Sequence, residues 1–420
     1  MSDYEITLFN CNVVDVVAGE ILEDQCIVVA LDGKIAHIVT NDSKESFAPL
    51  SRYSFDCEGS YVMPGLIDCH VHVTAFTANF AVLERTTPSY VTAKAMQSLK
   101  SMLKRGFTTV RDAGGADHGL ASALEEGIFK GPRLLFCGKA LSQTGGHGDM
   151  RAPGDFAKAF DCTCAGLGRV CDGDAEVRKA ARDEIRKGAT HIKVMAGGGV
   201  SSPTDRITST QFSIMELKAI VEEATAANIH VMAHAYTPRA IINSVKAGVK
   251  SIEHGNLLDE ESAKVMAKAG TYLVPTLATY DALAKEGKKD GLSDEMARKI
   301  YDVLDAGKRS IGIAKDNGVV MCYGSDLLSE MRKYQLSGLS MMEDSGLPAI
   351  DVIRSVTSNA ASLLGMEAEI GSIEVGKIAD MIIIRKNPLE STRLFDNWEE
   401  NYVSVIKQGR IVFNEFTDAL

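Results

Sequence analysis

The run Tyr61-Val62-Met63-Pro64-Gly65-Leu66-Ile67-Asp68-Cys69-His70-Val71-His72-Val73 is β-rich and closes on two histidines two residues apart. Residues so spaced on a strand project to the same side, so both imidazoles can reach one point from one edge. Alone the pair is weak evidence of a metal, because surface or internally satisfied histidines show the same spacing. Its meaning depends on what other strands bring to that edge.

Seven further runs repeat the plan of apolar strand, polar or glycine end and helical stretch: Thr108 to Gly115, Pro132 to Ser142, His191 to Gly197, His230 to Tyr236, Ser251 to Leu258, Tyr272 to Ala278 and Met321 to Leu328. Alternating strands and helices predict an α/β fold with a parallel sheet, and eight units is the count that closes a (β/α)8 TIM barrel. Ser213-Ile214-Met215-Glu216 reads as a capping box, with Leu217, Ile220, Val221 and Ala224 as the stripe facing the sheet. Glu260 to Ala269 is a second helix, with Gly270 suited to a left-handed cap. Tyr4 to Thr40 alternates around turns such as Asp32-Gly33, and Gly371 to Arg385 and Val403 to Phe413 do the same, with a turn at Gly409. Neither flank suffices for a core of its own. The expectation is a small β-sandwich domain formed by both chain ends, residues 1–60 and 366–420, beside a barrel of residues 61–365.

Composition narrows the classes of function. The 420 residues are 45% apolar and 24% charged, which is ordinary globular composition, and no apolar run nears the ~20 residues of a membrane helix. Lys plus Arg number 45 against 56 Asp plus Glu, and the net charge of −11 repels phosphate backbones and anionic lipid. Neither a nucleic acid nor a membrane is an expected partner. Met1-Ser2-Asp3-Tyr4-Glu5 lacks a basic region before an apolar stretch, so a cytoplasmic location is expected. The nine cysteines, from Cys11 to Cys322, read as buried small side chains rather than a disulfide framework. Their one cluster, Cys162, Cys164 and Cys171, falls one ligand short of a closed zinc site. The long stretch Thr144 to Val177 reads as a lid.

Other ligand types recur at the ends of later strands. Lys193 lies in an apolar run, where a protonated ammonium is costly to bury. His234 ends the fifth run, His254 the sixth and Asp326 the eighth. With His70 and His72 they make six chemically capable residues at the C-terminal face, where barrel enzymes place their chemistry.

These residues, with Pro64-Gly65-Leu66-Ile67-Asp68-Cys69-His70-Val71-His72, Ile252-Glu253-His254-Gly255, Gly324-Ser325-Asp326 and the closing stretch Gly371 to Asp380, resemble the metal-dependent amidohydrolase superfamily over nearly the whole chain. The resemblance implies two divalent metal ions, with zinc suited to the ligand set and manganese, cobalt and iron left open. His70, His72 and Asp326 would hold the more buried ion, His234 and His254 the other, and Lys193 would bridge them as a carbamate. Two ions sharing a water supply a hydroxide nucleophile, and Asp326 would also shuttle its proton to the leaving amine.

Two further pieces, Gln143-Thr144-Gly145-Gly146-His147-Gly148-Asp149 and His234-Ala235-Tyr236, are similar to the branch of imidazolonepropionase-related dipeptidases and prolidases. By that resemblance His147 would hydrogen-bond the developing oxyanion and Tyr236 the substrate carbonyl or carboxylate. Gly197-Gly198-Gly199 lacks a following Gly-Lys-Ser/Thr, so Gly198 and Gly199 suit close backbone approach to substrate better than a phosphate loop. Deaminases of the superfamily carry a Glu shortly after the fifth-strand His, where this chain has Ala235-Tyr236-Thr237-Pro238.

The expected activity is a carboxypeptidase-like dipeptidase, acting on dipeptides or N-acyl amino acids and leaning to Xaa-Pro. Xaa-Arg or Xaa-Lys dipeptides are the alternative, using lid carboxylates among Asp149, Asp155, Asp161, Asp172 and Asp174, and a cyclic-amide hydrolase of the imidazolonepropionase type is the second. A ligand-depleted scaffold is disfavoured because all six positions are filled. A homo-oligomer acting on small molecules is expected.

Overall fold

Gly33 and Gly409 both turn hairpins with left-handed backbone, at φ 83° and 70°. A Cβ on Gly33 would lie 2.5 Å from the Gln408 carbonyl oxygen, and one on Gly409 would lie 2.6 Å from the Gly33 Cα, so the two turns stack where only glycine fits. This contact ties the early and late parts of the chain together. The computed structural model describes residues 2–155, 165–289 and 292–414. It forms two units, one of Met1–Asp68, Lys100–Thr109 and Pro348–Leu420, the other of Cys69–Leu99 and Val110–Leu347.

The first unit carries an eight-stranded sheet in the order Arg410–Asn414, Tyr402–Lys407, Met381–Ile384, Tyr61–Pro64, Tyr4–Asp15, Glu20–Ala30 and Ile35–Thr40, with Ser51–Asp56 also on Tyr4–Asp15. Alternation along these strands buries Ile6, Leu8, Ile27, Val29, Val62, Ile383 and Ile406 in one cluster. The pairings form one network that branches. Ser51–Asp56 and Tyr61–Pro64 both pair in parallel with Tyr4–Asp15, at successive positions.

Parallel strands organise the second unit. Gly168–Val170, Ala140–Ser142, His191–Met195, His230–Ala235, Ser251–His254 and Tyr272–Val274 form a six-stranded sheet. Leu66–Val71, Phe107–Asp112 and Arg133–Phe136 form a three-stranded one, and the first two of these strands begin in residues of the first unit. Three runs differ from expectation. The third is split at Gly138, which adopts φ 71°. The seventh ends at Val274, because Leu277 and Ala278 begin the helix Leu277–Glu286. The eighth is reduced to one parallel bridge, Leu273 to Met321, continued by the hydrogen bond from Cys69 N to Tyr323 O at 2.8 Å. By Asp326, at φ 51°, the backbone has left the extended region.

Ser213 and Glu216 form both hydrogen bonds of the capping box. Leu217, Ile220 and Ala224 are buried below it. The helix Glu260–Ala269 is capped by Asp259 and ends at Gly270 with φ 65°. Among the described residues no helix is long and apolar enough to cross a membrane.

Candidate active site

His70 lies near the end of the strand Leu66–Val71, and His72 follows it directly. Their rings stand 5.4 Å apart, edge to face. Asp326 joins them, with Oδ1 at 3.5 Å from His70 Nε2 and 3.4 Å from His72 Nε2. One donor atom from each of the three lies within 4.8 Å of the others, which suits a single divalent cation.

The remaining imidazole nitrogens are tied back. His70 Nδ1 donates to Glu253 Oε2 at 2.6 Å, and His72 Nδ1 to the Gly114 carbonyl at 3.0 Å, so each Nε2 keeps its lone pair for a ligand. Glu253 is in turn held by Arg111 Nη2 at 3.0 Å and by the Ser251 hydroxyl at 2.6 Å. Gly114 is placed by Asp112, whose carboxylate accepts backbone hydrogen bonds from Val73, Gly114 and Ala116. Arg332 donates to the carbonyls of His72 and Ala75 at 2.6 and 2.7 Å and fixes the loop after the ligand pair. In the sequence Glu253 stands only as part of Ile252-Glu253-His254-Gly255, and nothing there gives Glu253 or Arg111 a role. The available signal is a charged residue inside an apolar strand, Ile252-Glu253-His254 and Val110-Arg111. Glu253→Gln should weaken divalent-cation affinity by about 10- to 100-fold, measured by chelator competition. Unaltered affinity would show that His70 is oriented without Glu253.

His234 and His254 face this group, their rings 4.5 Å apart, and His254 lies 4.9 Å from His70. Opposite nitrogens are engaged. His234 Nε2 bonds the Gly198 carbonyl at 3.1 Å, leaving Nδ1, whereas His254 Nδ1 bonds Thr276 Oγ1 at 2.8 Å, leaving Nε2. His254 and Asp326 both adopt left-handed backbone, at φ 72° and 51°, a conformation non-glycine residues enter at some energetic cost. Lys193, in the strand His191–Met195, is 1% exposed, and burial lowers its pKa toward the neutral amine.

His147 stacks on His234 at 4.3 Å. Its Nδ1 lies 2.7 Å from the Ser202 hydroxyl and 3.5 Å from Asp205 Oδ2, and Gln211 bridges its backbone amide to Asp205. Asp205 is held well below the usual carboxylate range by the hydrogen bonds from His147, Ser202 and Gln211, which outweigh the larger opposing effect of burial. Ser202 donates to Asp205, so its oxygen accepts the His147 Nδ1–H. Tyr236 packs beside His234 at 4.7 Å. The atoms that crowd the two glycines are the chain's own: a Cβ on Gly198 would meet the Arg206 carbonyl oxygen at 1.9 Å, and one on Gly199 the His147 ring at 2.1 Å.

All six strand-end residues, with His147 and Tyr236, line one cavity open to solvent. Its walls are otherwise largely apolar, including Phe80, Met150, Leu167, Val200, Leu283 and Leu328. Three carboxylates of the stretch Thr144 to Val177 are engaged away from the cavity centre: Asp149 pairs with Arg151 at 2.6 Å, Asp172 accepts from Thr144, and Asp174 lies 3.1 Å from Arg178. Asp161, Cys162 and Cys164 lie outside the described residues. Burial pushes the Cys171 thiol up to about 12, which keeps it an unreactive thiol.

Burial lowers the pKa of all four strand-end histidines, to about 3 for His72, and it brings His230 to about 3. The unfolded chain therefore binds more protons than the folded one below the ordinary histidine pKa near 6.5, and stability falls with pH in that window. Calorimetry of metal-free protein should show a Tm that drops steadily from pH 7 to pH 5. A flat profile would contradict neutral burial of these rings.

The profile of the Amidohydrolase family matches residues 61–412. A solved prolidase, in complex with N-methylphosphonate-L-proline, shares 43% identity and superposes with a TM-score of 0.94, covering 98% of this chain and 100% of that one. Ochratoxinase of Aspergillus niger is 35% identical over 370 residues, 84% of this chain and 75% of that one. Imidazolonepropionase of Sphingopyxis alaskensis is 26% identical over 399 residues, 86% and 87% of the two chains.

Proposed function

The chain belongs to the amidohydrolase family and is a hydrolytic enzyme, and from that premise we propose a binuclear metal-dependent hydrolase that cleaves the amide bond next to a free carboxylate. The observation that carries the reading is the convergence of His70, His72 and Asp326 at a cavity that Lys193, His234, His254, His147 and Tyr236 also line. The strand pairings, with Cys69 bonded to Tyr323 and Leu273 bridged to Met321, support a barrel of eight parallel strands, and the first unit supplies the small β-domain.

His70, His72 and Asp326 would hold one ion, and His234 and His254 the second. Lys193, as its carbamate, would be the oxygen bridge. Zinc suits this mixture of imidazole and oxygen donors. When bound, two divalent cations acidify a shared water and polarise a carbonyl. Asp326 takes the proton of the attacking water as its oxygen bonds the carbonyl carbon, then delivers it to the amide nitrogen as the C–N bond breaks. His147 donates from Nε2 to the oxyanion. Because its Nδ1–H is committed to Ser202, that donation needs the imidazolium, for which Asp205 is the counter-charge.

The apolar walls favour an uncharged residue on the carboxylate side of the scissile bond. Among the described cavity-lining residues only Asp326 is acidic, which weighs against Lys or Arg there and toward proline, the amino acid in the phosphonate complex of the prolidase relative. Metal-replete protein screened against Xaa-Pro, Xaa-Arg, Xaa-Lys, N-acyl amino acids and cyclic amides is expected to turn over the proline or apolar members fastest. Turnover confined to a cyclic amide would replace the dipeptidase reading with the imidazolonepropionase type.

A further inference from the structure

Lys299 stands on the helix Asp294–Asp316, a hundred positions after Gly199, yet its ammonium is committed to the loop in which that glycine lies. Nζ donates to the carbonyls of Gly199 at 3.4 Å, Ser202 at 3.1 Å and Asp205 at 2.7 Å. An ammonium has three protons, and all three go to one short stretch of backbone. The side chain is only 13% exposed, and its charge lies 3.7 Å from Asp205 Oδ1. A cation withdrawn this far from water is tolerated because its donors and its charge are both met.

The stretch that Lys299 closes carries the partners of His147. Ser202 lies 2.7 Å from His147 Nδ1 and donates to Asp205, whose Oδ2 stands 3.5 Å from the same nitrogen. That oxygen also accepts from the Gly199 amide at 3.2 Å and from Gln211 Nε2 at 2.9 Å. Two of the carbonyls bonded by Lys299 therefore belong to the residues that hold the ring, and the third to the glycine against which the ring packs. Among the described residues no backbone amide bonds any of these three carbonyls, so the ammonium is what satisfies them. Apolar packing holds the loop elsewhere: Val200 and Ile207 share one buried cluster with Ala297, Ile300 and Val303 of the same helix.

We propose that Lys299 is a positioning residue for His147: by drawing the carbonyls of Gly199, Ser202 and Asp205 onto one ammonium, it fixes the loop geometry that aims the imidazole at the oxyanion. This rests on the reading of His147 as the oxyanion donor of an amide hydrolase. It adds that the aim is set from a helix outside the strands that carry the metal ligands, by a residue that is not part of the cavity wall. Without Lys299 the ring and its partners are still present, so what is lost is placement, and the loss is smaller than that of the donor itself.

Lys299→Met keeps the apolar stem and removes the three donors. In metal-replete protein it should lower kcat on the best amide of the panel about tenfold with KM within about twofold, because Val200 in the cavity wall stays in its apolar cluster. Calorimetric affinity for N-methylphosphonate-L-proline, whose tetrahedral centre presents the negative charge that His147 meets, should fall by a similar factor, with metal content unchanged. In a His147→Ala background the same substitution should change kcat by less than about twofold, because the group it acts through is gone. If Lys299→Met does not fold, Lys299→Gln, which retains two N–H donors, carries the same comparison with a smaller loss. Equal losses in both backgrounds, a change confined to KM, or an active enzyme indifferent to the substitution overturn the positioning role while leaving the hydrolase reading intact. A His147→Ala enzyme as fast as wild type overturns the oxyanion reading and the proposal with it. Wild-type protein that neither hydrolyses any member of the panel nor binds the phosphonate overturns the dipeptidase reading as well.

Discussion

Alanine at Lys193 should take the protein from about two bound divalent ions per chain to one or none and lower kcat/KM on the order of 10³-fold. The argument starts from burial. A lysine 1% exposed, whose pKa is drawn down by desolvation, spends more of its time as the neutral amine that can add carbon dioxide. The proposed carbamate would replace a buried cation with an anionic oxygen donor at the cavity that His70, His72, His234 and His254 also line. Elemental analysis of wild type and Lys193→Ala, both prepared with bicarbonate, measures the first effect and steady-state kinetics the second. Two ions and ordinary turnover in the variant would remove Lys193 from the centre.

Asp326→Asn separates holding an ion from moving a proton. The amide keeps an oxygen toward His70 and His72, and asparagine tolerates the left-handed backbone that Asp326 occupies at φ 51°, so fold and metal content should survive. What is lost is the basic oxygen, and kcat should fall by about 10²- to 10⁴-fold. Near-normal kcat with metal retained would assign the proton transfer to another group.

Much of this arrangement is legible in the linear chain. Five of the eight apolar runs carry a residue whose chemistry is out of place in a core, and the two-residue period sets His70 and His72 side by side. What escapes is whatever depends on one strand's depth against another. Glu253 reaches His70 from 183 positions away, and Ser202 and Asp205 stand behind His147 from a loop 55 positions on. Neither pairing has a periodic signature. Thr276, which holds His254 Nδ1, and Tyr280, in the cavity wall, are hidden for a different reason: the run Tyr272 to Ala278 reads as one strand, and the chain turns into a helix after Val274. The glycines at 198 and 199 were legible as positions needing close approach. The atoms that approach are the carbonyl of Arg206 and the ring of His147.

The strand Tyr61–Pro64 pairs with Met381–Ile384, about three hundred residues later. During synthesis at about 5–20 residues per second, its edge therefore waits tens of seconds for a partner. An open strand edge is a template for other chains, so the first unit has its greatest aggregation risk while the ribosome is still making the second. Slowed elongation between these strands should lower soluble yield even though no contact in the finished enzyme has changed.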